Sequence, residues 1–445
     1  MAASLNMGIR ILIFTTFNKI MLKSKFLFMK KFVSLFAMLL LAHSYSFAQV
    51  EKTYDILIKN GTVIDPKNNI HEVLDIGIKA GKILKLGKGI DASLAKQVVN
   101  ARGLLITPGL IDIHGHVFHG TQENHYLSDG FDALPPDGFT LRTGVTTIVD
   151  CGSAGWRNFS TFKKNIIDRS RTRVLSFLNI VGEGMRGGAY EQNIDDMNPI
   201  AAADMAKQYK EHIVGFKLAH FSGHDWRPTD KAVEAGILAG MPVIIDFGGS
   251  NPTLSIEELY MKHLRPGDIY THTYASLNGA RETIVDEKTN QLKPFVLEAQ
   301  LRGIIFDVGY GGASFNFTQA IPALKAGLYP NTISTDLHTG SMNASMKNQL
   351  DIMSKFMLMG MSLDEVIKAS TWSPAKAIQR EELGHLSEGA IADIAILRIL
   401  KGRFGFYDKT GYKMKGKEKF ECEVTIKGGA IVYDLNGNAS PIYVK

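Results

Sequence analysis

The sequence predicts an α/β protein built on a (β/α)8 TIM-type barrel, and three observations carry that expectation. Short apolar runs recur between about residues 107 and 375, separated by helix-like segments. The polar residues in those runs gather at their C-terminal ends, the face where barrels of this type place their chemistry. The two ends of the chain have a different rhythm, alternating apolar and polar residues with period two, as half-buried strands do.

The N-terminal β-rich part starts with "YDILIKNGTVIDPKNN", whose turn signals at Asn60-Gly61 and Asp65-Pro66 read as a β-hairpin. "EVLDIGIKAGKILKLGK" repeats the pattern with a turn at Ala80-Gly81, and the C-terminus adds "ADIAILRI", "FECEVTIKGGAIVYD" and a last short strand. Between these ends the eight expected barrel strands are "LIDIHGH", "TTIVDCG", "VLSFLNIVG", "HIVGFKLAH", "PVIIDFG", "DIYTHTY", "GIIFDVGYG" and "TISTDLH". Intervening stretches such as "PTDKAVEAGILAG" and "FTQAIPALKAG" end in glycine, as helix C-termini often do. Near-continuous apolar strands are what a parallel sheet covered on both faces requires. The expected division is a leader over 1–48, β-rich segments over 49–106 and 379–445, and the barrel over 107–378.

The 445 residues carry a formal charge of +6, which invites a nucleic-acid or membrane reading until its location is considered. Six of the 50 basic residues (Arg10, Lys19, Lys23, Lys25, Lys30 and Lys31) fall before position 49, where there is no Asp or Glu, so the rest of the chain holds 44 of each sign. The body is neutral, and nucleic acid is excluded as a partner on charge grounds. "MKKFVSLFAMLLLAHSYSFAQ" reads as a secretory signal. Two lysines follow Met29, an apolar stretch comes next, and small residues stand at −3 and −1 of a cleavage after Ala48. The apolar core is too short to span a bilayer comfortably, so no stable membrane anchor is expected after cleavage. Residues 1–28 read as an over-extended start, and an exported, periplasmic protein follows. Cys151 and Cys422 are expected as free thiols, although an oxidising compartment permits a disulfide.

His114 and His116 alternate along the first barrel strand, so both imidazoles point the same way. Neutral imidazoles suit zinc and neighbouring transition metals. Alone a His-x-His pair is weak evidence, but at the mouth of a barrel it is a metal site in waiting.

With "ITPGLIDIHGH" after an N-terminal β-module, the chain resembles the amidohydrolase superfamily. "TGVTTIVDCGSAGW", "VGFKL", "RPGDIYTHTY" and "MSKFMLMGMSLDEVIKASTWSPAKAI" resemble its deacetylase and dihydroorotase-like branch. The likeness runs over nearly all of residues 53–445. It implies a barrel beside a small β-sandwich formed by the chain ends, with a metal site at the barrel mouth. Lys217 in "VGFKL" matches a lysine that relatives carboxylate at N6 so that it bridges two metals; a lysine among apolar neighbours has its ammonium disfavoured, which suits carbamate formation. A lysine reaching solvent or pairing with an acid is the plainer alternative. The resemblance makes His272 a ligand of the second metal, and Asp336 both a ligand of the first and the base that deprotonates the attacking water. A loop histidine and a helix N-cap are their structural alternatives.

One position departs from the pattern. Where most relatives have a histidine, "PVIIDFG" has Asp246. A carboxylate can ligate, giving two zinc ions, or it can hydrogen-bond a ligand and leave a single ion. His220 and His224 lie just beyond Lys217 and could compensate, though loop histidines usually do not. His119 and His125 could line the pocket. Arg157, Arg186 and Tyr310 sit in expected strand-end loops, where a cation or phenol could hold a substrate carboxylate or carbonyl; solvated loop residues are the alternative. Cys151 reads as packing, as does the methionine stripe of "MSKFMLMGMSLDEVI". "GYGGAS" lacks the nucleotide-binding fingerprint, and no GxSxG elbow points to an α/β-hydrolase.

The expected function is metal-activated hydrolysis of an amide or ester bond in a small N-acyl or O-acyl compound. A dihydroorotase-like cyclic amidase is the runner-up. A non-catalytic ligand-binding barrel and a metal-dependent isomerase or lyase complete the field, and a homo-oligomer stays open.

Overall fold

The computed structural model describes Met29 and residues 52–122, 130, 132–246, 249–250, 252–277 and 279–443. Thr53–Lys445 form one compact unit, separate from Met1–Lys52. The expected leader and its cleavage site fall almost wholly outside the described residues. Among the described residues no helix is long and apolar enough to cross a membrane.

Strand β1 (Tyr54–Asp65) pairs antiparallel with β2 (Ile70–Lys79), which pairs antiparallel with β3 (Lys82–Gly87). The sequence expectation of a turn at Asn60-Gly61 fails here. Those residues form a bulge inside a continuous strand, with the register shifting between Ile58 and Gly61. Asn60 tolerates the left-handed φ of 64° that the bulge needs, and its spare N–H donates to Asp75 Oδ1 at 2.9 Å. The chain reverses only after Asp65, and the Ala80-Gly81 turn is where expected. β4 (Ala95–Asn100) and β5 (Leu105–Pro108) lie parallel to β1.

The chain then enters a curled parallel sheet. β6 (Leu110–Gly115), β7 (Val145–Gly155), β8 (Arg173–Asn179), β9 (Ile213–Leu218), β10 (Val243–Ile245) and β11 (Ile269–Tyr270) follow one another side by side. A small hairpin, β12 (Val285–Asp286) with β13 (Gln291–Leu292), interrupts before β14 (Ile305–Phe306) takes the seventh place. The eighth expected strand is too irregular to form a full ladder. Residues 332–337 nevertheless bridge both edges of the sheet, Thr332 pairing with Asp307 and Leu337 with Gly115. Helices at Phe159–Asn165, Pro199–Gln208, Arg227–Ala239, Pro294–Arg302, Phe317–Lys325 and Gln349–Leu358 cover the outside. Between β6 and β7 the described residues hold short 3₁₀ turns at Pro136–Gly138 and Leu141–Thr143 in place of an α-helix.

The last strands, β15 (Ile394–Tyr407), β16 (Lys413–Lys427) and β17 (Ala430–Asp434), return to the first sheet, because β15 pairs with β5. Both chain ends are thus sewn into one eight-stranded sheet with its own apolar cluster of Ile58, Ile76, Ile106, Ile394 and Val424. In the parallel sheet Ile111, Ile113, Val149, Phe177, Val214 and Ile244 form a separate buried cluster. This stopper leaves the C-terminal strand ends to carry polar groups. Cys151 and Cys422 are both buried free thiols, as expected.

Candidate functional site

Strict alternation along β6 would bury Ile111, Ile113 and Gly115 on one face and turn His114 away from it. The pairing with β7 skips a residue instead: Asp112 lies opposite Ile148 and Gly115 opposite Asp150, so β6 carries one extra residue. Bulges re-aim side chains, and this one lets Ile113 join the apolar stopper while His114 faces the cavity above it. That cavity, of about 570 Å³, is lined by His114, His116, Lys217, Asp246, His272 and Asp336. All six expected ligands therefore meet in one place.

The first half of the site is the tighter. His116 Nε2 lies 2.9 Å and His114 Nε2 3.5 Å from Asp336 Oδ1, and the three residues form a buried group spaced to hold a metal ion. The ring of His114 is oriented from behind. Thr271 Oγ1 donates its hydrogen to Asp307 Oδ2 at 2.7 Å, so it accepts from His114 Nδ1 at 2.9 Å. That fixes the proton on Nδ1 and leaves the Nε2 lone pair facing the cavity. Burial, with Lys217 nearby, pushes the His114 imidazole down to about 3, so it is neutral at physiological pH. Burial would raise Asp336, yet His114 and the hydrogen bond from His116 outweigh it and hold the carboxyl well below its usual range. Neutral imidazole beside ionised carboxylate is the donor chemistry of a divalent ion such as zinc.

The second half centres on Asp246, just past β10. His272 Nε2 and His220 Nε2 each lie 3.3 Å from Asp246 Oδ2, and Lys217 Nζ lies 3.9 Å from the same oxygen. His272 Nδ1 donates to the Gly309 carbonyl at 2.5 Å, and His220 Nδ1 meets Glu191 Oε2 at 2.9 Å. Burial would raise Asp246, but His272 and Lys217 outweigh it and hold it well below the usual range. His220, half-exposed, is opposed by burial but pushed up to about 10 by Asp246 and Glu191.

Lys217 Nζ is buried and has no hydrogen-bond partner among the described residues. Its neighbours differ from those the sequence suggested. Burial does disfavour the ammonium, but Cys151, Asp246 and Asp336 outweigh it and leave the group above its ordinary value. Gly152, with a left-handed φ of 86°, makes room for this side chain, since a Cβ there would stand 2.6 Å from Lys217 Cγ. Gly311 of "GYGGAS" does the same for Asp336, with a Cβ-to-Oδ2 approach of 2.4 Å.

The three candidates for substrate contact lie elsewhere. Arg157 bonds Asp196 and stacks on Trp156, and Arg186 pairs with Glu183 at 3.4 Å on the surface. Tyr310 is buried, donating to the Tyr407 carbonyl at 3.1 Å and accepting from Lys355 at 2.9 Å. None of the three lines the cavity. Cys151 packs in the apolar stopper, and burial pushes its thiol far up. His224 turns to the Pro252 carbonyl at 2.8 Å, and His125 lies outside the described residues. Sequence reading passed over Asp307, Asp112, Glu191 and His338. The first two had a signal, an acid inside an otherwise apolar run. Asp307 also accepts from Thr332 and Ser334 at 2.5 and 2.7 Å, and Asp112 receives the N–H groups of His114 and Thr335 at 3.2 and 3.0 Å. His338 lines the cavity 3.8 Å from Asp336 Oδ2.

Comparisons with known proteins point to one family. The amidohydrolase family model matches residues 306–432. A deacetylase of Agrobacterium fabrum is 31% identical over 360 residues, 79% of this chain and 84% of that one. A dihydroorotase of Geotalea daltonii is 46% identical over only 87 residues, 19% of this chain and 20% of that one. The solved structure of an adenine deaminase covers 86% of this chain and 100% of its own at 26% identity, with a TM-score of 0.75. A dihydroorotase structure covers 85% and 99% at 28% identity, with a TM-score of 0.72.

Proposed function

The chain belongs to the amidohydrolase family of hydrolases acting on C–N bonds, and from that premise we propose that it is an exported, metal-dependent deacetylase-like enzyme cleaving the amide, or ester, bond of a small N-acyl or O-acyl compound. The observation that carries the reading is the convergence of His114, His116 and Asp336, with a neutral imidazole and an ionised carboxylate facing one cavity. The deacetylase is 31% identical over 79% of the chain, above the long dihydroorotase matches at 23% and 28% over 85%, and that margin favours acyl removal over ring opening. A cyclic amide is the second reading. The same proposal takes the barrel as eight strand–helix units and the sheet of the chain ends as a small β-sandwich. It also takes the segment from Met29 to Ala48 as the export signal.

The donor set fits divalent metal: His114, His116 and Asp336 would hold one ion, and Lys217, Asp246 and His272 a second. Zinc bound there would supply Lewis acidity and an acidified water. Asp336 accepts a proton from that water as its oxygen joins the acyl carbon. The carboxyl then returns the proton to the leaving nitrogen as the C–N bond breaks. His338 lines the cavity 3.8 Å from the second oxygen of Asp336. Lys217 becomes an anionic ligand by attack of its amine on CO2, forming an N6-carbamate with loss of a proton. Lys217 is held protonated partly by Asp246 and Asp336, and metal ions bound to those carboxylates would offset that negative charge and favour the carbamate.

A panel of N-acetyl amino acids, O-acyl hydroxy acids and dihydroorotate, assayed with and without chelator, tests the proposal. The expected result is acetate release that chelator abolishes and zinc restores. Tight ligand binding without turnover would replace the enzyme with a binding protein, and turnover of dihydroorotate alone would promote the second reading.

A further inference from the structure

The eight-stranded sheet treats its cations differently at its two ends. In and beside β1 to β4, Lys59 pairs with Asp75 at 2.7 Å, Lys88 with Glu72 at 2.7 Å, Lys96 with Asp55 at 2.8 Å and Lys85 with Glu388 at 3.2 Å. At the other end β16 carries Lys413, Lys415, Lys417 and Lys419, and among the described residues none of them has an ion-pair partner.

Successive residues of a strand alternate between faces, so these four share one. Gly416 and Phe420 are buried on the opposite face, where a Cβ on Gly416 would stand 2.6 Å from Phe406 Cε2. The lysines therefore look outward: Lys413, Lys415 and Lys417 are exposed and Lys419 is half-buried. Their register partners on β15 are Tyr407 for Lys413, Gly405 for Lys415 and Leu400 for Lys419, so no acid sits across from them. Glu418 alternates to the other face, opposite Lys401. Four ammonium groups thus follow a row about 20 Å long, with neighbours about 7 Å apart. That spacing is inside the Debye length of about 8 Å at physiological salt, so they repel one another. An anionic surface laid along the row turns that repulsion into attraction.

Two neighbours of the row select the kind of anion. A cavity of about 460 Å³ opens beside it, lined by Met357, Leu358 and Ile399 as well as by Lys415, Lys417 and Lys419. Tyr412, in the turn that leads into β16, is 65% exposed. Apolar surface rimmed with lysines beside an exposed tyrosine suits a lipid–water interface, with the cations on headgroup phosphates and the apolar groups on acyl chains. A nucleic-acid strand would leave the apolar cavity unused. Its bases need rings to stack on, and the outward face offers only Tyr407, half-buried and covered by Lys347.

We propose that β16 and the cavity beside it form a peripheral docking surface for an anionic lipid bilayer, held by Lys413, Lys415, Lys417 and Lys419. The contact is electrostatic and reversible by salt, which distinguishes it from an anchor. Balanced charge over the body hides the row, because the compensating acids lie elsewhere in the chain.

The test is co-sedimentation of the purified full-length protein with vesicles of phosphatidylcholine alone and of phosphatidylcholine with about 30% phosphatidylglycerol. The readout is the gain in partition on the anionic vesicles, which removes any apolar contribution of the N-terminal segment. Wild type stands beside a quadruple variant, Lys413→Gln, Lys415→Gln, Lys417→Gln and Lys419→Gln together. A third protein has Arg10, Lys19, Lys23, Lys25, Lys30 and Lys31 changed to Gln. At about 0.1 M salt wild type should gain about 100-fold or more, since each lysine near such a surface contributes about fivefold. About 1 M salt should abolish the gain. The quadruple variant should lose it while melting with wild type, and Lys417→Gln alone should lose about fivefold. No gain in wild type, or an equal gain in the quadruple variant, overturns the inference, as does a gain that disappears only with the N-terminal changes. A single-stranded oligonucleotide that binds through the same lysines as tightly as the vesicles also overturns it, in favour of nucleic acid.

Discussion

The two halves of the cavity are built by different means. His114 lies in β6 and His116 directly follows it, both beside Asp336, whose own backbone is left-handed with a φ of 52°. Asp246, His220 and His272 all lie just beyond strands, and two of the three have left-handed backbone. The first half is held by backbone bonds between the end of β6 and residues 336–337, Asp336 N–H to the His114 carbonyl at 2.7 Å and His116 N–H to the Leu337 carbonyl at 2.8 Å, and is backed by the buried Thr271–Asp307 pair. The second depends on loops pinned by Glu191, Gln192 and the Gly309 carbonyl. A cavity floor can combine one wall tied by backbone bonds to a strand with another pinned through the side chains of its loops.

Breaking the first half should have the largest effect. Asp336→Asn keeps the volume but removes the ionised carboxylate, so kcat/KM against the best acyl substrate should fall about 10³-fold, within the span expected for loss of a proton-transferring group. His116→Ala should abolish both turnover and the ion of the first half. Either variant within tenfold of wild type would mean that the first half is not where the chemistry happens.

Asp307→Asn sharpens the comparison without touching the cavity. Burial would raise Asp307, but the nearby His114 and the hydroxyls of Thr332 and Thr271 outweigh it, so the carboxylate stays ionised and directs the Thr271 hydroxyl. An amide loses that charge and one acceptor oxygen. Activity and first-ion affinity should fall about 10–100-fold, with second-ion affinity much less affected, both affinities read by cobalt titration. Equal loss at both seats would show the halves to be one unit.

This contrast explains what the sequence made legible. A strand's period of two turns His-x-His into a statement about direction, and a barrel's polarity marks the strand ends, which made His114 and His116 legible; Lys217, His272, Asp336 and the departure at Asp246 were placed by the family resemblance. Pairings outside a strand leave no such trace. Nothing local ties His220 to Glu191, 29 positions earlier, or to Asp246. Arg157 and Arg186 share their strand-end placement with real cavity residues, and only their acidic partners Asp196 and Glu183 show that they are engaged elsewhere. Asn60-Gly61 has the composition of a turn, but β1 pairs on through it because Asp75 satisfies the bulged N–H.

A third buried polar group serves as a control for both halves. Lys355 donates to Tyr310 Oη at 2.9 Å and to the Ser345 carbonyl, and it lies 3.0 Å from Asp351. Burial pushes its ammonium down to about 8 although Asp351 opposes the shift. Because the folded value lies below the unfolded one of about 10.4, the unfolded chain binds the extra proton between pH 8 and 10. Stability should therefore rise with pH across that window, by roughly 3 kcal/mol if the full shift is expressed. Denaturant melts of wild type and Lys355→Met isolate this contribution, because other titrations are common to both. The variant should lack the rise while turning over substrate normally. A parallel slope in the two proteins would mean that Lys355 does not titrate there.

Tyr310→Phe should have the smallest effect, and it asks whether the cavity has a third wall. Its hydroxyl links Lys355 to the Tyr407 carbonyl, and its ring stacks on Phe315 with centroids 4.3 Å apart. The substitution keeps the stack and removes two bonds, one to the Tyr407 carbonyl and one from a charged donor, the latter worth about 1.5–3 kcal/mol of stability. Lys355 keeps Ser345 and Asp351, so the low end of that range is expected. Since Tyr310 does not line the cavity, kcat/KM should stay within twofold of wild type. A tenfold fall at unchanged stability would move the phenol into the substrate's reach, and the two-walled description of the site would have to give way to one in which the Lys355 cluster closes the cavity from behind.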